Sequence, residues 1–150
     1  MAQMPPRSIG TAMMNGLRLR CPACGEGKLF CGYLKVNEHC PSCHEELWHQ
    51  RADDAPPYMV ITLVGHIVVP LLLAVEMAFR PAIWIHLVTW LPMTLVLCLV
   101  LLPPVKGALI GYQWAMRMHG FDPADPEREP TPPSRRDLPK ASQPAGARPL

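Results

Sequence analysis

Two apolar runs constrain this chain more than anything else in it. Tyr58 to Phe79 is 22 residues with one carboxylate, Glu76, and no base; Ile83 to Leu102 is 20 residues without Lys, Arg, Asp or Glu. At about 1.5 Å per helical residue, each run is long enough to cross the roughly 30 Å of hydrocarbon in a bilayer. A chain of 150 residues cannot build a soluble core that hides both. Phe79-Arg80-Pro81-Ala82 is the whole link between them, and so short a link forces the two helices antiparallel. The expected fold class is mainly α: a two-helix transmembrane hairpin over 58–79 and 83–102, preceded by a small β module.

Of the 14 Lys and Arg residues, only Arg80 lies in that link. Near the opposite helix ends stand Arg51, Lys106 and Arg117. This bias puts both termini on the cytoplasmic side, where free thiolates also persist. Residues 1–17 read as a flexible tail and not as a signal peptide, because Pro5, Pro6, Gly10, Asn15 and Gly16 interrupt any apolar core. Residues 51–57 read as a linker. Pro56 and Pro57 suit a helix's first turn, and Asp53 or Asp54 would cap it or form an acidic docking or ion-binding patch. After Pro103-Pro104, residues 105–119 read as an interfacial amphipathic helix, with Lys106, Gln113 and Arg117 on one stripe and Leu109, Tyr112 and Met116 opposite. Its Gly107-x3-Gly111 spacing would admit close approach of another helix. Residues 122–150 carry eight prolines and few large apolar side chains, so a disordered tail is expected.

The chemistry sits ahead of the hairpin, in CPACGEGKLFCGYLKVNEHCPSCH, residues 21–44. Cys21-x2-Cys24 and Cys40-x2-Cys43 are two thiol pairs at metal-binding spacing, and four thiolates close a tetrahedron around zinc with no position left for water. Iron held by the same four thiolates is not separated from zinc by the pattern. Lys28–Phe30 and Tyr33–Val36 read as short strands around Gly32, which makes 18–50 a small β zinc ribbon with a structural zinc. Cys31 lies away from both pairs and reads as packing, with a ligand swap or redox role as the alternative; Cys98, inside the second run, reads as packing. CPSCH also satisfies the covalent-haem pattern, with His44 as axial ligand, but that reading leaves Cys21 and Cys24 without a purpose. A thioredoxin-like redox pair would need a βαβ unit, and none is visible. From Arg18 to Gln50 four bases face four acids. Such a neutral module lacks the electrostatic footprint of a nucleic-acid binder; exposed Tyr33 and Trp48 could stack a base or face a membrane.

Counting rise per residue places His66 about 12 Å into the first span, Glu76 about 27 Å in, and His86 about 24 Å back from Leu102. Glu76 and His86 should therefore meet near the outer face, with His66 too distant to share a metal with them. Glu76 precedes Arg80 by four residues and would pair with it. Pro70 and Pro92 free the carbonyls of His66 and Val88, and matched kinks would open a gap beside His66. That residue is the candidate for handling a haem, copper or proton, alone or facing its copy in a homodimer; Asp53, Asp54, Glu76 and His86 are the other candidates. No constellation of nucleophile, base and acid stands out, so an adaptor is expected rather than an enzyme.

On RCPACGEGKLFCGYLKV, CPSC, ADDAPPY, Glu76 with Pro81-x2-Trp84, and PPVKGALIGYQW, the chain from about Arg20 to Gly120 resembles domain-of-unknown-function family 983, small bacterial membrane proteins. The resemblance implies a four-cysteine zinc-ribbon-like head with ligands Cys21, Cys24, Cys40 and Cys43, followed by two spans in the inner membrane. It also implies a link to respiratory oxidase biogenesis, and so an oxidase or its assembly machinery as membrane partner. His44 departs from the family, which usually has glycine there.

Overall fold

The computed structural model describes residues 6–51, 54–118 and 120–122. Three helices carry it: α1 (Ile9–Leu17), α2 (Ala55–Phe79) and α3 (Ile83–Ala115). The expectations for Asp53 and for residues 123–150 lie outside the described residues.

Helices α2 and α3 form the antiparallel hairpin. Pro56 and Pro57 occupy the first turn of α2, as their missing N–H groups favour. Asp54 stands at the N-cap position, but its side chain makes no capping bond, because its backbone is in the α rather than the extended region that aims a cap at the first N–H groups. Val60, Val64 and Val68 repeat every four residues and form one seam, packed on Trp90, Leu97, Cys98, Leu101, Leu102 and Val105 of α3. Cys98 is therefore packing, as expected. The rest of the two apolar runs is largely bare: over the most apolar windows of α2 and α3 only 17% and 0% of residues are buried. A core helix of a soluble protein would be covered, whereas this much unburied Leu, Ile and Val supports insertion into lipid.

Three expectations are corrected. Helix α3 does not stop at Leu102; it runs through Pro103 and Pro104 to Ala115. Pro103 cannot donate to the carbonyl of Leu99, four residues earlier, yet that carbonyl is not orphaned, because the Tyr33 hydroxyl donates to it. The expected interfacial helix is thus the last part of α3. Its polar stripe does not face headgroups throughout. Gln113 is buried, accepts from the Arg51 N–H at 3.2 Å and donates to the Arg51 carbonyl at 2.9 Å, and the Lys106 ammonium donates to the Leu34 carbonyl at 3.0 Å.

Residues 1–17 are not a tail throughout. Ser8 caps α1 by accepting from the Thr11 N–H, and α1 lies against α3 at Gly16–Gly107 and Ala12–Gly111. The Gly107-x3-Gly111 spacing does admit a helix, and the helix is the chain's own α1. Nine residues including Gly10, Gly16, Thr11 and Asn15 would not hold a helix alone; the groove on α3 supplies what local propensity lacks.

The β zinc ribbon is not formed: among the described residues there is no strand and no sheet, only single bridges at Arg20↔Lys28, Phe30↔Val36 and His39↔Glu46. The backbone bonds are spent on turns instead. Cys21 N–H to Gly27 carbonyl, Cys31 N–H to Lys35 carbonyl and Cys40 N–H to Glu45 carbonyl, each 2.8–2.9 Å, close three successive turns and leave too few residues between them for a ladder.

Candidate metal centre

The two Cys-Pro-x-Cys segments fold the same way. Gly25 N–H bonds the Cys21 carbonyl at 2.9 Å, and His44 N–H bonds the Cys40 carbonyl at 3.0 Å. The residue after each pair must then turn through the left-handed region: Gly25 has φ 72° and His44 has φ 59°. Glycine enters that region freely and other residues at a cost. His44 therefore stands where a glycine belongs for backbone reasons, with its side chain exposed.

These turns converge. The Sγ atoms of Cys21, Cys24, Cys40 and Cys43 all lie within 4.8 Å of one another. Cys21 to Cys43 and Cys24 to Cys40 are both 3.8 Å. With metal–sulfur bonds of about 2.3 Å, the edge of a regular tetrahedron is about 3.8 Å. The distance is far beyond the roughly 2.05 Å of a disulfide. The donor set fits one tetrahedral thiolate-bound metal ion, and the cluster is capable of coordinating it. The same convergence tells against haem attachment at CPSCH, since both of its sulfurs face Cys21 and Cys24.

Burial pushes the Cys21 thiol far above its ordinary range, against N–H bonds from Cys24 and Ala23. Burial likewise raises Cys43. Burial works against ionising Cys24 too, but the backbone N–H groups of Gly27 and Glu26, with the neighbouring thiols, outweigh it and bring that thiol down to about 7. One thiolate therefore forms readily and the rest of the charge must come with a cation, so binding releases protons.

Gly27 was not singled out from sequence, yet it shapes the site: a Cβ there would stand 2.3 Å from the Cys40 Sγ. Its signal was present as the second glycine of CGEG, but nothing local distinguishes it from an ordinary turn glycine. The cluster cysteines Cys21 and Cys40 share one core with Leu29, Leu47 and Ile110 of α3. Around it, the Trp114 indole donates to Glu45 at 2.8 Å. Arg7 donates to the Trp114 carbonyl at 2.7 Å and lies 4.2 Å over the Trp114 ring. The head is thus built onto α3 rather than tethered to it.

Cys31 is exposed and its thiol points to the carbonyls of Lys35 and Val36 at 3.4 and 3.9 Å, outside the cluster; the packing expectation is corrected, since the described residues do not bury it. Glu76 and His86 do meet, at 2.9 Å, so the carboxylate crosses to α3 rather than pairing with Arg80. The Trp90 indole donates to His86 Nδ1 at 3.0 Å. An indole can only donate, so Nδ1 accepts, Nε2 carries the proton, and His86 donates to Glu76. Both ring nitrogens are engaged, which makes Trp90–His86–Glu76 a clamp near the turn that joins α2 to α3. His66 is exposed on the outward face of α2, beside Tyr58, Met59, Thr62 and Leu63. The apolar groove near Pro92, about 520 Å³ between Ile67, Leu71, Met93 and Val96, does not include it, because His66 lies on the face of α2 away from the Val64–Val68 seam; its ring bonds the Thr62 carbonyl of its own helix at 2.7 Å.

No curated protein and no solved structure matches the chain. A family model does match, over residues 30–114, which takes in Cys40, Cys43 and both apolar helices and begins after Cys21 and Cys24. The matched segment is more than half of the chain, and the chain belongs to the family described as protein of unknown function (DUF983).

Proposed function

We propose that this is a membrane-anchored docking protein whose head is held together by one structural zinc ion on Cys21, Cys24, Cys40 and Cys43, and which recruits a membrane-protein partner. The observation that carries this reading is the shared core: two of the four clustered cysteines, Cys21 and Cys40, pack with Ile110 of a helix whose other half is largely bare apolar surface. A metal saturated by four thiolates keeps no open position for substrate. What it supplies is rigidity to a segment without a sheet of its own, and a fixed surface at the membrane is what recruitment needs. The termini are cytoplasmic in this reading, from the charge bias around the hairpin. A respiratory oxidase or its assembly machinery is the partner class to which the resemblance points.

The test is purification from native membranes in mild detergent, with metal analysis and identification of copurifying proteins. One zinc per chain and a membrane-protein partner, both lost in Cys40→Ser, are expected. Near-zero metal would remove the zinc; a protein that stayed alone while catalysing a reaction would remove the docking role.

A second reading has one observation in its favour. The Thr62 carbonyl can only accept, so His66 Nδ1 carries the proton and the Nε2 lone pair faces outward. A ring nitrogen so arranged is ready to ligate a haem or copper. A cofactor spectrum lost in His66→Ala would establish it, and a colourless, copper-free preparation from native membranes would remove it.

A further inference from the structure

The turn between the two cysteine pairs reaches away from the metal and along α3 toward the middle of the chain's second apolar run. Tyr33 donates to the Leu99 carbonyl, and the Lys106 ammonium donates to the Leu34 carbonyl. Leu99 lies three residues inside Leu102, the end of the uninterrupted apolar run, which is about 4.5 Å along a helix. Phe30 and Val36, at the base of the turn, pack on the metal-site core. Between them Cys31, Gly32, Tyr33 and Lys35 are exposed, and Tyr33 keeps 54% of its surface uncovered. An aromatic ring with a polar tip, beside the exposed Lys35, is the composition found at a headgroup boundary.

From this depth register we infer that the turn Cys31–Lys35 is seated in the boundary between headgroups and acyl chains, with Tyr33 as its anchor and a lipid bilayer as its partner. Two features argue for lipid as occupant. The turn is fixed to a helix at the level where its apolar run ends. The hydrogen bond it makes also satisfies a carbonyl that Pro103 leaves without a donor, a carbonyl that hydrocarbon could not satisfy. The head is therefore held against the bilayer by its metal-organised turn as well as by α2 and α3. This inference rests on the reading of α2 and α3 as membrane spans.

Cys31 supplies a native probe. Zinc-loaded full-length Cys98→Ala protein is labelled with a nitroxide, mass spectrometry confirming Cys31 as the labelled site, and placed in phosphatidylcholine–phosphatidylglycerol vesicles. Collisions with oxygen, which concentrates in lipid, are compared with those of a water-soluble nickel chelate. Oxygen should dominate at Cys31, and the order should invert in Tyr33→Asp. A nickel-dominated signal from the unsubstituted turn would overturn the inference, as would shielding from both reagents, which would mean a protein covers it. The same label at Cys98, in Cys31→Ala, must also be oxygen-dominated. A nickel-dominated Cys98 would overturn the spans themselves, which separates that failure from failure of the turn alone.

Discussion

Adding one methyl group at Gly107 should separate α1 from α3. The Cβ of Gly107→Ala would lie 2.1 Å from the Gly16 carbonyl oxygen. Real Cβ contacts stay above 3.0 Å, so the backbones must part by about 0.9 Å. The neighbour is backbone and not a side chain that can swing away, and the approach is mutual: a Cβ at Gly16 would lie 2.0 Å from the Gly107 oxygen. Overpacking of this kind costs about 1–3 kcal/mol, against which a glycine-to-alanine change in a helix returns up to about 1 kcal/mol. Gly10→Ala separates the two terms, because it adds the same methyl group to α1 where nothing lies within 4 Å. Thermal unfolding in detergent, followed by circular dichroism, should show Gly107→Ala destabilised and Gly10→Ala unchanged or slightly stabilised. Because α1 cannot hold its helix unaided, trypsin should also cut faster after Arg18 and Arg20 in Gly107→Ala. Equal stability and equal cleavage in the two variants would refute the close-approach argument.

Gly27→Ala should lower zinc stoichiometry without removing a ligand, because its methyl group would occupy space 2.3 Å from the Cys40 Sγ; metal analysis beside Gly32→Ala, where the nearest atom is 3.6 Å away, is the comparison. His44→Gly should stabilise the head by about 1 kcal/mol, since φ 59° costs a side chain roughly that much, and a lowered midpoint in denaturant would count against it. In metal-free protein, alkylation of Cys24 should rise with a midpoint near pH 7 while Cys21 stays inert there. The sign follows from a thiol held below its ordinary pKa of 9.0: its stabilising ionisation is present in full above that value and is lost as pH falls through about 7. Peptide mapping after timed alkylation reads it out. Tyr33→Phe should cost about 1–3 kcal/mol by orphaning the Leu99 carbonyl. Faster hydrogen exchange around Pro103 would register that loss, and unchanged exchange would oppose it.

Features that depend on spacing along one chain were legible before any packing was known. Two apolar runs of span length joined by a four-residue link can only make a hairpin. Helical rise then put Glu76 and His86 at one level, where they bond. Two Cys-Pro-x-Cys pairs gave the cluster, because each pair turns locally and four thiols at that spacing have one compact arrangement. Features that depend on two surfaces meeting were not legible in this way. Whether Ile9–Leu17 is a helix could not be read from a segment with poor intrinsic propensity, because its stability comes from the Gly107–Gly111 groove. Where the Leu99 carbonyl, left without a donor at Pro103, finds its partner also lay outside local pattern: the Tyr33 hydroxyl that bonds it is 66 residues from Leu99. Lys28–Phe30 and Tyr33–Val36 have strand-like composition but no sheet, because turns around the sulfur cluster take up the backbone bonds. Local pattern fixes a helix or a ligand pair when the interaction is short in sequence; polar groups of Lys106, Gln113 and Glu76 choose their partners only once the elements have packed.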